Sequence, residues 1–273
     1  MDDPLKNLTN RQFIMKKVNI ILILIAAFNL NAQVKKTASV IAAAPSLHLQ
    51  VYRNSLSAGD LATAITSLNY LVASEMKTGK YQDSLAMLYF ASGNLQQANY
   101  WSNKVLSTQP NNLVMLDIKA SALKQMNQPL QAIETYEKML SIDNSPATCF
   151  NLTELQYNVK RLYECVASTQ LAEKMQISKD LGFSYKINEK ETAQTPLIAA
   201  FYNYRGLALY DLGEKEASKI AFLAALKVDP NFILAKVNLE QLEKETAADT
   251  TPVPAPAAPA ETEPIEPAPI KKY

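Results

Sequence analysis

His48 is the only histidine of this chain, and Cys149 and Cys165 are its only cysteines. A metal centre needs several imidazole, thiolate or carboxylate ligands at close spacing, and a general base needs an oriented partner. In "SLHLQVYR" the histidine has neither beside it. No zinc spacing, P-loop, dinucleotide fingerprint or nucleophile elbow occurs anywhere in the chain. The residues therefore point away from an enzyme, and no catalytic residue, metal ligand or cofactor is assigned. A disulfide is not expected either. Cys149 opens one predicted helix (147–159) and Cys165 opens the next, antiparallel one (162–176), which separates them by on the order of 15 Å. A disulfide needs Cα atoms within about 7 Å, so two buried thiols are expected.

The elements that carry these residues are ordered along the chain by composition. Residues from Met15 read "MKKVNIILILIAAFNLNAQ": a basic start at Lys16 and Lys17, a short apolar run from Val18 to Phe28, and a small-residue cleavage site before Gln33. The run is broken by asparagines and falls short of the ~20 residues of a spanning helix. Residues 15–32 are thus expected to be a cleaved signal peptide, the only part of the chain to meet a membrane. Residues 1–14, with two acids and a proline, do not fit such a leader and are read as an artefact of an upstream start, with translation beginning at Met15. Residues 33–44 form a linker. The formal net charge is +1, and loss of residues 1–32 takes it to about −1. A nearly neutral chain carries no footprint for nucleic acid.

A period of 34 residues organises the middle. Gly59, Gly93, Asn127 and Gly213 mark turns between two helices, and Ala64, Ala98 and Ala132 follow the first three at a constant distance. Units begin at 45, 79, 113, 147 and 199. The second has Leu85, Ala86 and Tyr89 before its turn, then Ala98, Val105 and Leu106 before "QPNN". The fifth has Tyr202, Gly206 and Leu209 before its turn, then Phe222, Ala225, Leu226 and Pro230.

These residues resemble the tetratricopeptide repeat family, whose unit is a 34-residue helix-turn-helix with small residues where paired helices cross. The resemblance implies an all-α, right-handed superhelix over residues 45–247, with repeats 45–78, 79–112, 113–146, 147–198 and 199–232 and a closing helix at 233–247. Trp101 stands one place before the family's usual aromatic and Ser218 replaces its usual alanine. His48 is expected to pack, partly buried, against a neighbouring helix.

A superhelix of such pairs leaves a concave groove lined by first helices. Family geometry implies a lining of Leu49, Arg53 and Leu56; Asp83, Met87 and Phe90; Asp117, Ser121 and Lys124; Asn151, Leu155 and Asn158; and Asn203, Leu207 and Tyr210. Apolar anchors interleaved with Asp and Asn suit a peptide segment or another protein of the bacterial cell envelope, periplasmic or envelope-associated. The places at which chaperone-binding members grip a C-terminal carboxylate hold Leu49, Arg53, Ser84, Val114 and Ile118, so that clamp is not expected. The alternative is capture of glycan or peptidoglycan fragments by Phe90, Trp101 and Tyr210. The oligomeric state is left open.

The fourth unit holds about 18 extra residues. In them Phe183, Tyr185 and Ile187 alternate with polar neighbours, which is strand periodicity, and "EKE" supplies a turn. A β-hairpin over 183–197 is expected to project from the array as a docking element. Residues 248–273, rich in proline, alanine and glutamate, have no apolar stripe to bury and are expected to be a disordered, extended tail.

Overall fold

The computed structural model describes residues 46–74, 79 and 81–249. The expectations for the start site, leader, linker and residues 250–273 lie outside these. Among the described residues eleven helices run in sequence, interrupted by one antiparallel strand pair. Helices α1 (Leu47–Ser57) and α2 (Leu61–Ser74), α3 (Gln82–Ala91) and α4 (Leu95–Leu106), and α5 (Leu113–Gln125) and α6 (Pro129–Asp143) make three hairpins. Helices α7 (Pro146–Asn158) and α8 (Leu162–Glu173) make the fourth. Strands β1 (Gly182–Lys186) and β2 (Thr192–Pro196) follow, then α9 (Leu197–Asp211), α10 (Lys215–Val228) and α11 (Ile233–Asp249). Each helix packs on its sequence neighbour, and α3 with α5, α7 with α9 and α9 with α11 also touch. The closing helix continues to Asp249, past the expected limit at 247.

The five turns within repeats share one geometry. A residue at positive φ (Gly59, Gly93, Asn127, Lys160, Gly213) ends each first helix. The next residue donates its N–H to the carbonyl five residues back: Asp60 to Ser55, Asn94 to Tyr89, Gln128 to Leu123, Arg161 to Gln156 and Glu214 to Leu209, each at 2.9 Å. This is the Schellman closure, which satisfies helix-end carbonyls and demands a left-handed residue. Where that next residue is Asp60 or Asn94, its side chain also caps the second helix, accepting from Thr63 N (3.0 Å) and Gln97 N (3.3 Å).

The turns correct the repeat register. In four repeats the turn residue lies where the 34-residue spacing puts it, but in the fourth it is Lys160, one residue early. Measured from the turn, the small-residue site of the second helix is Ala64, Ala98, Ala132, Cys165 and Ser218, and every one is 0% exposed. The matching site of the first helix is Ala86, Ala120, Thr153 and Gly206 in the last four repeats, with Thr153 also 0% exposed. At Gly206 the approach is tightest: an added Cβ would lie 2.4 Å from Phe222 Cε1. Ser218 departs from alanine for a reason, since its hydroxyl donates to the Gly206 carbonyl at 2.8 Å.

Cys149 and Cys165 are both free and buried, as expected. The Cys149 thiol donates to the Ser168 carbonyl at 3.4 Å. Burial pushes the Cys149 thiol up to about 11 and the Cys165 thiol up to about 12. His48 differs from expectation: it is exposed, and its ring stacks on the exposed Tyr70 at 4.7 Å.

The hairpin forms in the expected place but does not project. Its register pairs Phe183 with Thr195 and Tyr185 with Ala193. The Asn188 side chain closes its tip by accepting from Lys190 N and Glu191 N, both at 2.9 Å. Phe183 turns inward onto Phe150 of α7 (ring centroids 5.1 Å), and Tyr185, 5% exposed, packs on Phe232 (5.1 Å). The Tyr185 hydroxyl accepts from Ile233 N at the start of α11 (3.2 Å). A docking role for Phe183 and Tyr185 is thus overturned, because both rings are consumed in joining α7, α9 and α11. Ile187 alone of the three stays exposed, at the tip.

Candidate binding groove

The register correction moves the lining of the fourth repeat. Counted back from the turn, the groove positions of the other repeats correspond to Phe150, Glu154 and Tyr157 of α7, not to Asn151, Leu155 and Asn158. A one-residue slip turns a helix by about 100°. Accordingly Leu155 is buried in the core with Leu116, Ile133 and Tyr136. No apolar signal could have revealed the slip, because α7 is covered on nearly all sides and most of its residues are buried. The turn gave no cue either, because Lys160 is a residue of ordinary type in a glycine place.

The remaining expected residues fall into an open and a closed stretch. In the first three repeats Arg53, Asp83 and Asp117 are exposed, while Leu49, Leu56, Met87, Phe90 and Ser121 are half-buried. Met87 and Phe90 rest, half-buried, on the core between the second and third repeats. Ser121 shares a hydrogen bond with the Tyr136 hydroxyl at 3.3 Å. Burial, with the Asp117 charge adding, raises that phenol far above its ordinary range, so it stays neutral.

From Lys124 onward, ties between successive first helices occupy the lining. Lys124 is ion-paired with Glu154, which is 8% exposed. Asn203, expected in the lining, is 5% exposed and accepts from Asn238 Nδ2 at 2.9 Å. Tyr210 donates to Glu245 of α11, and Lys160 is bonded to Asp211 at 2.6 Å. Leu207 remains half-buried between these ties. Tyr157, raised to about 12 mainly by burial and next by the Asp211 charge, stacks edge-on against Tyr204. On the outer side Arg205 binds Thr169 Oγ1 (2.9 Å) and Glu173 (3.0 Å), and the guanidinium holds the Glu173 carboxyl below its usual range.

Trp101 is half-buried on α4, edge-on to Tyr100, with Lys104 Nζ 5.5 Å above its ring. It lies on a second helix and not in the lining. Among the described residues no group of three His, Cys, Asp or Glu side chains could hold a metal ion, and no helix is long and apolar enough to cross a membrane.

A sequence profile described as tetratricopeptide repeat matches residues 115–146 and 199–232, the third and fifth repeats of the array. Those two segments are tetratricopeptide repeats. The fourth repeat, with its early turn and its threonine and cysteine at the small sites, falls between the two matches. Among solved structures the chain resembles YrrB, a tetratricopeptide protein with an unusual peptide-binding site, at 13% identity and a TM-score of 0.56, over 71% of this chain and 90% of that one. A tetratricopeptide repeat protein from Parabacteroides merdae ATCC 43184 superposes at 15% identity and a TM-score of 0.54, over 73% and 72% of the two chains. MamA follows at 18% identity and a TM-score of 0.50, over 61% and 84%. At these identities the likeness is one of fold. No curated protein matches the sequence.

Proposed function

We propose that this tetratricopeptide repeat chain is an exported protein-interaction scaffold of the bacterial cell envelope, and that it holds a peptide segment of another protein against its first three repeats. One observation carries the reading. Helices α1, α3 and α5 keep Arg53, Asp83, Met87, Phe90 and Asp117 at the surface, whereas the later first helices spend their lining on one another. Charged groups beside a half-buried methionine and phenylalanine give a peptide both register and apolar contact. The two matched repeats and the YrrB-like fold support an interaction role, and "MKKVNIILILIAAFNLNAQ" supports export. The function is equilibrium recognition and not chemistry.

The test is photo-crosslinking in the native organism with a reactive residue placed either at Asp83, in the lining, or at Ile220, exposed on α10. One protein crosslinked in near-equal amount from position 83 and not from 220 supports the groove. Arg53→Glu with Asp83→Lys is expected to cut that yield at least tenfold, with circular dichroism unchanged. Equal yields from both positions refute the groove. Intact mass of the recovered chain tests export separately, since cleavage leaves Gln33 as the first residue.

A further inference from the structure

The hairpin has an outward side that its anchoring leaves unused. The Ile187 N–H donates to the Glu191 carbonyl (3.0 Å) and the Leu197 N–H to the Leu181 carbonyl (2.8 Å). Antiparallel pairs alternate, so the hydrogen-bonded pairs between these are Phe183 with Thr195 and Tyr185 with Ala193. The main-chain groups of Gly182, Ser184 and Lys186 therefore point away from β2. The N–H groups of Ser184 and Lys186 meet no acceptor among the described residues. Gly182 has no side chain, so its partial exposure is exposure of the main chain itself.

The two edges are not equivalent. On β2 the corresponding residues are Thr192, Gln194 and Pro196, and the proline has no N–H to offer. Only β1 presents a full alternation of donors and acceptors. It is also held rigidly, because Phe183 and Tyr185 lock its other face onto α7 and the start of α11. A fixed, unpaired strand edge is a template for an added strand, and its rigidity lowers the ordering cost of binding. Of the six residues on the outward face, Lys186 alone is charged, and it has no ion-pair partner among the described residues.

We infer that the free edge of β1 is a second docking surface, which takes an extended segment of a partner protein by strand addition with an acidic side chain set beside Lys186. This surface is separate from the groove of the first three repeats. Its partner is recognised by main-chain hydrogen bonding, with charge selecting at one position.

The probe is a capped eight-residue peptide of alternating threonine and valine with one central glutamate, added to the full chain while amide exchange is followed by NMR. Exchange at Ser184 and Lys186 is expected to slow at least tenfold on saturation, with Gln194 unchanged. The same peptide N-methylated at alternate residues is expected to have no effect. Ser184→Pro should abolish the response without lowering the melting temperature. Lys186→Glu should weaken it several-fold and recover it with lysine in place of the peptide's glutamate. Unchanged exchange at both amides overturns the proposal. Protection before peptide is added also overturns it, and assigns the edge elsewhere. If that protection grows with protein concentration, the occupant is a second copy; if it vanishes when residues 250–273 are deleted, the occupant is the chain's own C-terminal segment.

Discussion

Gly206 has its neighbour's ring closer than any side chain would allow. Three atoms of Phe222, itself 1% exposed, lie 2.4–2.8 Å from where a Cβ would stand. Gly206→Ala gains about 1 kcal/mol in helix propensity, but overpacking a buried ring costs about 1–3 kcal/mol. The melting temperature is expected to fall, and Phe222→Leu in the same chain is expected to restore part of the loss. Cys165 occupies the equivalent site of the fourth repeat's second helix, so Cys165→Ala should cost little stability. Its effect lies in alkali. Unfolded thiols ionise near 9, whereas folded Cys149 and Cys165 hold their protons up to about 11 and about 12. That contribution is complete below pH 9 and lost as pH rises through the folded values. Thermal melts from pH 8 to 12 should therefore show a fall beginning above pH 9, with a shallower slope in Cys165→Ala.

Among the elements, the turns are the most regular and contain one strained member. A lysine in the left-handed region pays roughly 1–2 kcal/mol that glycine avoids, and Lys160 sits at φ 62°. Its bond to Asp211 returns little, because the lysine side chain is 64% exposed. Lys160→Gly is expected to raise the melting temperature by a few degrees, and Asn127→Ala, at an equivalent left-handed turn, to lower it. The same turns explain what could be read from the sequence. Gly59, Gly93 and Gly213 announce themselves because only glycine takes that backbone freely, and they fix three repeats. The fourth repeat was legible as a repeat but not in register, since lysine carries no such signal. The lining of α7 was misplaced by one residue as a direct result. The hairpin's strands were legible from alternation, but their orientation was not. Phe183 and Tyr185 look the same in sequence whether they face solvent or Phe150 and Phe232.

At the scale of the whole molecule the array is unequal along its length. Repeats normally touch only their neighbours and behave as a nearly one-dimensional chain. Here a run of rings, from Tyr157 through Tyr204, Phe150, Phe183 and Tyr185 to Phe232, with centroids 5.1–6.0 Å apart, ties the fourth repeat to the closing helix. Tyr185→Ala removes the ring that links Phe183 to Phe232 and is expected to cost about 3–5 kcal/mol. Native-state hydrogen exchange should then rise through α11 and α9 while α1 to α4 keep wild-type protection. Equal loosening along the chain would show that the block is not a unit. The positions of Arg53, Asp83 and Asp117 on their helices were legible because the first three repeats keep register. The closure of the rest was not, because Lys124 with Glu154 and Asn203 with Asn238 are partners over distances of 30 and 35 residues.

The hairpin also decides where this protein can be cut and recombined. Repeats one to three could be exchanged, duplicated or replaced at their junctions, as in any modular array. A chimera joined between Ser145 and Pro146 would carry the C-terminal block across whole. One joined between Pro196 and Leu197 would part β2 from the helix it leads into, strand the hairpin on the donor and leave Phe232 without its ring partner. The practical unit of exchange is a single repeat at one end and everything from α7 to α11 at the other.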